Sequence, residues 1–216
     1  MKKTFKILLV VVFATQILQA QRIEQIYIQM PEVLNPVISR QQRFELLEYY
    51  KANMGDSIQN RFGTQTRILK LDAENNHIIV QNTDISRFEI KLIPHRNDTI
   101  IGIIRTVCVP ICQSSIEFFS MNWQRRTDIT FVFPQAKEWI NEEKVRKLSL
   151  HAQNVRNALS TSFVSLTFNS ETSEIHATNH SIAFLDQAQQ EELAPVMNDA
   201  AFIFRLKNNR KWTRIE

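Results

Sequence analysis

Between Arg67 and Phe133 the chain alternates apolar and polar residues in short runs separated by polar turns, and this pattern limits its fold more than any other feature. Alternation with a period of two places successive side chains on opposite faces of a strand. Arg67 to Leu71, Ile78 to Gln81 and Arg87 to Ile93 alternate in this way, and Glu74-Asn75-Asn76-His77 reads as a turn between the first two. Ile100, Ile101, Ile103, Ile104 and Val107 form a nearly continuous apolar run, as expected of a central strand buried on both faces. Ile116 to Phe119 and Ile129 to Phe133 follow. Connections this short suit antiparallel neighbours, so the segment predicts a meander of about six strands.

Helices are expected on either side of the meander. Ser39 and Gln42 have capping-box spacing, and Phe44, Leu47 and Met54 recur at helical intervals before Gly55, a candidate left-handed cap. This helix is expected to lay Phe44, Leu47 and Met54 on the sheet. Ahead of it, Ile23 to Gln29 reads as a first strand. Pro31 then opens a short helical piece carrying Val33, Leu34, Val37 and Ile38 on one face, interrupted at Pro36. After Pro134, a helix is expected from Ala136 to about Val145, and weak helical spacing continues from Leu148 to Leu159. Phe163 to Phe168 and Glu174 to Thr178 read as paired strands, and Asp186 caps a helix through Met197. Ala201 to Lys207 and Lys211 to Ile215 form a closing hairpin around Asn208-Asn209. The expected class is therefore α+β: N-terminal helices packed on an antiparallel sheet of about six strands, followed by a smaller helix–strand lobe.

Met1 to Ala20 has a cationic start at Lys2, Lys3 and Lys6, an apolar run from Ile7 to Phe13, and a small residue at Ala20. This is the layout of a secretory signal peptide. The run is too short for a stable membrane span, which needs roughly 20 apolar residues, and no second run of that length follows. Residues 1–20 are thus read as a signal and 21–216 as an α+β domain, with sub-lobes at 21–146 and 147–216. No transmembrane segment is expected after cleavage, and the destination is the periplasm or the exterior.

The signal also corrects the charge. The full chain carries 26 Lys and Arg against 22 Asp and Glu, a net charge of +4. Three of the cations and none of the carboxylates lie in the first twenty residues, so the remainder carries a net charge of +1. A general attraction to nucleic acid is not expected.

Glycine is scarce: it occurs only at 55, 63 and 102, where average usage is about 7%. Without a glycine-rich loop, backbone amides cannot close on a phosphate, which excludes the Walker and Rossmann nucleotide sites. Asparagine is expected at the turns instead, because it tolerates positive φ. No cofactor is expected.

Cys108 and Cys112 are the only cysteines. In an oxidising compartment a close, even pair is by default a disulfide. Thiol–disulfide exchange is the sharper alternative, but such sites use two intervening residues at a helix N-terminus. Zinc lacks a second ligand pair at suitable spacing. His176 and His180 read as polar loop residues, and no serine stands in a nucleophile elbow. The C-terminal hairpin gathers Arg205, Lys207, Arg210, Lys211 and Arg214 around Trp212, a candidate surface for an anionic glycan, lipid headgroup or nucleic acid. The same alternation also suits the wet face of an edge hairpin.

Met30-Pro31, Arg43-Phe44-Glu45-Leu46-Leu47, Asn60-Arg61-Phe62-Gly63 and Arg105-Thr106-Val107-Cys108-Val109-Pro110-Ile111-Cys112 together resemble a family of exported Bacteroidales proteins of unknown function. The Asp186 helix, Ala201 to Arg205 and Trp212 are similar to it as well, and Cys-x-Pro-x-Cys is the most specific element. The resemblance implies a secreted or envelope α+β protein, related to β-lactamase-inhibitor-like modules of one helix and four strands, with no catalytic residues to carry over. The favoured function is a non-enzymatic binding or envelope-associated protein with a protein or glycan partner. The alternative is a periplasmic enzyme, a thiol oxidoreductase or hydrolase, whose site assembles from distant residues.

Overall fold

The computed structural model describes residues 23–148, 152–198, 200–208 and 210–215. The signal-like segment 1–20 lies outside them. Two compact units form: one runs to Ile103 and takes in Phe118–Arg125, and the other takes in Ile104–Glu117 and the chain from Arg126 onward.

The first unit is built on an antiparallel sheet of strands β1 (Ser57–Gln59), β2 (Gln65–Asp72), β3 (His77–Thr83), β4 (Ser86–His95), β5 (Asp98–Cys108) and β6 (Cys112–Ser120), in that spatial order. The distal halves of β5 and β6 belong to the second unit. The expected meander of six is present, with one exchange of members. Residues 57–59 supply a strand that alternation was too short to announce. Ile129 to Phe133 is not a strand; only Thr130 bridges, in parallel, to Lys211. The aromatics of that segment serve packing: Phe131 meets Phe133 and Phe204 with ring centroids 5.1 and 4.9 Å apart. Ile100, Ile101, Ile103 and Ile104 of the β5 apolar run are inaccessible on both faces, but Val107 is exposed, and β5 stands next to the edge and not at the centre.

One face of this sheet carries Ile68, Ile78, Val80, Phe88, Ile90, Leu92, Ile101 and Ile103 into a core completed by two helices. The first, α1, is described over 23–29, where a strand was expected. Ile23, Ile26, Tyr27 and Met30 are buried, which is helical spacing. Ile28 beside them created the false alternation. The second helix, α2 (Arg40–Lys51), has the full capping box: Ser39 Oγ accepts from the Gln42 amide, and Gln42 Oε1 accepts from the Ser39 amide. Its buried face is Arg43, Leu46 and Leu47, rotated from the one expected, so Phe44 and Met54 are exposed. The left-handed residue after it is Asn53 at φ 54°, not Gly55. Asn76 and Asn208 take the same conformation at φ 51°, as the shortage of glycine predicts. Between the helices, Glu32–Leu34 forms one 3-10 turn that leaves Val33 exposed and not on a shared apolar face.

Arg43 explains the rotation of α2. Its guanidinium is fully buried and donates to the carbonyls of Ile38, Ile28 and Met30, while lying 5.9 Å from the Tyr27 ring centroid. Carbonyls freed where α1 ends and α2 begins are thereby satisfied without water. Burial pushes the Tyr27 hydroxyl pKa up, against the opposing pull of the Arg43 charge.

In the second unit, 3-10 residues Ala136–Trp139 precede helices α3 (Glu142–Lys147), α4 (Ala152–Ala158) and α5 (Gln187–Leu193). The helix expected from Ala136 to Val145 is thus split in two. Strands β7 (Val164–Phe168), β8 (Ile175–Asn179), β9 (Phe202–Lys207) and β10 (Lys211–Ile215) form an antiparallel sheet in the order β10-β9-β8-β7. His176 lies within β8, not in a loop. At the outer edge of β7, Gln113 Oε1 accepts the Val164 amide at 2.8 Å and Ser114 Oγ accepts the Leu166 amide at 2.9 Å.

Replacing Arg43 with Ala strips two buried carbonyls and one part-buried carbonyl of their donor and leaves a void, so it should cost about 3 kcal/mol. Phe44→Ala, on the exposed neighbour, should cost under about 1 kcal/mol. Urea unfolding distinguishes them, and an equal loss from both contradicts the role given to Arg43.

Candidate functional site

The hairpin between β5 and β6 is closed by a disulfide between Cys108 and Cys112, whose sulfurs are 2.04 Å apart and whose Cα atoms are 3.9 Å apart. The three residues it encloses are Val109, Pro110 and Ile111, with a cis Val109–Pro110 bond. Apolar surface is concentrated here: Val107 is 47% exposed and Val109 64% exposed, and Pro110 is exposed beside them. Below the tip, Thr106 and Ser114 hydroxyls are 2.7 Å apart and Arg105 pairs with Glu117 at 2.6 Å. A polar, hydrogen-bonded stem therefore carries a crosslinked apolar end.

The cationic C-terminal hairpin is divided by its strand register. Lys211 faces Lys207, Thr213 faces Arg205 and Arg214 faces Phe204. Cross-strand partners share a face, so Arg205, Lys207 and Lys211 stand on one side, and Trp212 and Arg214 on the other. Trp212 is 2% exposed, so it does not stand among surface cations as the sequence suggested. Its alternation with Lys211 and Thr213, opposite Leu206 between Arg205 and Lys207, was the available signal. Arg205 is engaged by Glu174 through its Nε at 3.1 Å, and this bond, together with the positive charge, holds the Glu174 carboxyl below the usual range. Arg210 lies in the exposed turn.

Arg214 is placed differently. Its guanidinium carbon lies 3.4 Å from the centroid of the Phe202 ring, which stacks in turn on Trp139 at 4.0 Å with the planes 1° apart. Trp139 Nε1 donates to the Ala200 carbonyl at 3.3 Å. The stack borders a pocket of about 330 Å³ that also receives Lys144, Met197 and Ile215. The sequence placed Arg214 on a candidate anion surface but concealed the stack, because Trp139, Phe202 and Arg214 are not neighbours along the chain.

Two histidine settings complete the polar inventory. On the face of β3 and β4 opposite the apolar core, His77 Nε2 is 2.7 Å from Glu89 Oε1, with the two side chains 1% and 0% exposed. Lys91 beside them donates to the Asn75 carbonyl at 2.8 Å, and burial lowers its pKa. A His–carboxylate pair this deeply enclosed orients the imidazole but offers no route to a substrate. On β7 and the end of β8, His180 Nε2 lies 2.8 Å from Ser165 Oγ, and burial lowers the His180 pKa. Among the described residues no group of three or more His, Cys, Asp or Glu side chains is placed to hold a metal ion, and no helix is long and apolar enough to cross a membrane.

These features define a two-sheet α+β protein with a disulfide-closed apolar hairpin and a stacked-arginine pocket. The chain belongs to the DUF3256 family of proteins of unknown function, which it matches over residues 15–210. In fold it is similar to the solved structure of a domain of an uncharacterized protein from Porphyromonas gingivalis W83. The TM-score is 0.73 at 18% identity, over 89% of this chain and 96% of that one. Comparison with curated proteins finds no match.

Two outcomes check this description. A Cys108→Ser/Cys112→Ser double variant should lose about 2 kcal/mol, the loop-entropy limit for so short a crosslink, and remain folded by circular dichroism. A loss of 5 kcal/mol would mean the disulfide holds the unit together, not just the turn. For His180 the folded pKa lies below the unfolded 6.5, so the unfolded chain binds the proton more readily. Stability should then fall as pH drops from about 6.5 through the lowered folded value. His180→Gln should flatten that part of the profile in thermal melts, and an unchanged profile contradicts it.

Proposed function

We propose that the protein is exported, loses residues 1–20, and works in the periplasm or outside the cell as a non-enzymatic binding protein whose recognition element is the 107–112 hairpin tip. One observation carries this reading: a disulfide closes a loop whose accessible surface is mainly apolar. Exposed Val107, Val109 and Pro110 gain nothing from water, and an apolar patch held in one conformation loses little entropy when a partner covers it. A protein partner with an apolar recess suits the tip better than a glycan, because the tip itself presents few polar groups. The hairpin setting of the two cysteines supports a clamp over thiol exchange, since two strands supply no helix dipole to stabilise a thiolate.

The test is site-specific photocrosslinking in the native host. A crosslinking amino acid at Val109 should give a discrete adduct with an envelope or secreted protein, and Val107→Asp should abolish it. The same probe at Leu69, an exposed apolar residue elsewhere, should give none. Adducts of equal yield from both positions, or none from Val109, contradict the proposal. N-terminal sequencing of the exported form should begin at Gln21; a product retaining Met1 contradicts the processing.

A further inference from the structure

We infer that the pocket beside the Arg214–Phe202–Trp139 stack is a binding site for a small organic carboxylate carrying a short apolar body. The site is separate from the hairpin tip and does not depend on its role.

One face of the Arg214 guanidinium rests on Phe202 at 3.4 Å, and Phe202 is backed by Trp139. The ring quadrupole attracts the cation, while the stack occupies only the face of the planar group. Its N–H donors lie in the plane and point past the ring. No described carboxylate forms an ion pair with Arg214, in contrast to Arg205 with Glu174 and Arg156 with Glu142. A guanidinium fixed by stacking, with its donor edge paired to no described carboxylate, is organised for a planar anion, and a carboxylate matches its two-pronged geometry.

The remaining walls complete the specificity. Lys144 supplies a second positive charge, its Nζ resting 3.5 Å from the Met197 carbonyl. The Asn198 side chain adds amide hydrogen-bonding capacity. Met197, Phe202 and Ile215 provide apolar wall, with Met197 and Phe202 each 6% exposed. Cations against an apolar wall favour an amphiphilic acid over inorganic phosphate, which would leave the wall wetted and unused. A volume of about 330 Å³ suits a ligand of short-chain size. Such a carboxylate is offered either by a free short-chain acid or by the C-terminus of a peptide ending in an apolar residue.

Isothermal titration of the full chain with octanoate, acetyl-Ala-Ala-Leu as the free acid, acetate, octanamide and inorganic phosphate tests the site and separates the two sources. Octanoate or the peptide should bind at least tenfold more tightly than acetate, octanamide and phosphate; the tighter of the two identifies the source. Arg214→Gln should weaken that binding at least tenfold, while Arg210→Gln, in the exposed turn, leaves it unchanged. Because removing Arg214 also removes a stacking partner, Lys144→Gln provides the second variant: it keeps the stack and should still weaken binding several-fold. The inference is overturned if neither acid binds more tightly than acetate. It is equally overturned if Arg210→Gln weakens binding as much as Arg214→Gln, or if Lys144→Gln leaves affinity unchanged.

Discussion

The amide protons of Val164 and Leu166, on the outer edge of the second sheet, are taken by Gln113 and Ser114, and the placement of the disulfide-closed hairpin depends on this contact. An edge strand has a row of backbone groups that must find partners. Here side chains one and two positions beyond Cys112 supply them. The Ser114 hydroxyl also meets Thr106 across the hairpin. The stem is therefore tied to β7 and to its own partner strand immediately below the disulfide. An apolar tip on such a stem has its direction set by the sheet.

The two units solve the problem of freed backbone groups in different ways. In the first, a buried arginine gathers the carbonyls around the junction of α1 and α2, and the apolar sides of Tyr27, Leu46 and Leu47 close over it. In the second, aromatic stacking joins the 136–139 turn to β9 and carries Arg214 to a pocket mouth. The same residue type is thus a structural donor at 43 and a ring-stacked cation at 214. Enclosure of the donor edge makes the difference, since Arg43 spends its protons on carbonyls and Arg214 lays only its face on a ring.

Elements announced by local rules were legible in the sequence. The capping box at Ser39, the alternation through β2 to β4 and the hairpin after Ala201 each depend on neighbours a few residues apart, and each formed as read. Errors arose where one residue overwrote a pattern. Ile28 turned a helical 23, 26, 27, 30 spacing into apparent alternation, and Phe44 drew the predicted face of α2 away from Arg43. The charged Arg43 was not a candidate core residue, because its three acceptors lie five to fifteen positions away. The candidate site was half legible: Cys108 and Cys112 could be paired by count, whereas the stack needs contacts between residues 139, 202 and 214 that no local period encodes.

The central claim is that the hairpin tip is held ready for a partner, and backbone ¹⁵N relaxation of residues 107–112 measures this most directly. The account predicts order parameters of about 0.85 in the oxidised protein, matching the strands of the stem, with a fall on reduction of the disulfide. Values below about 0.6 in the oxidised protein would show a loose loop with no fixed surface to recognise, and would contradict it.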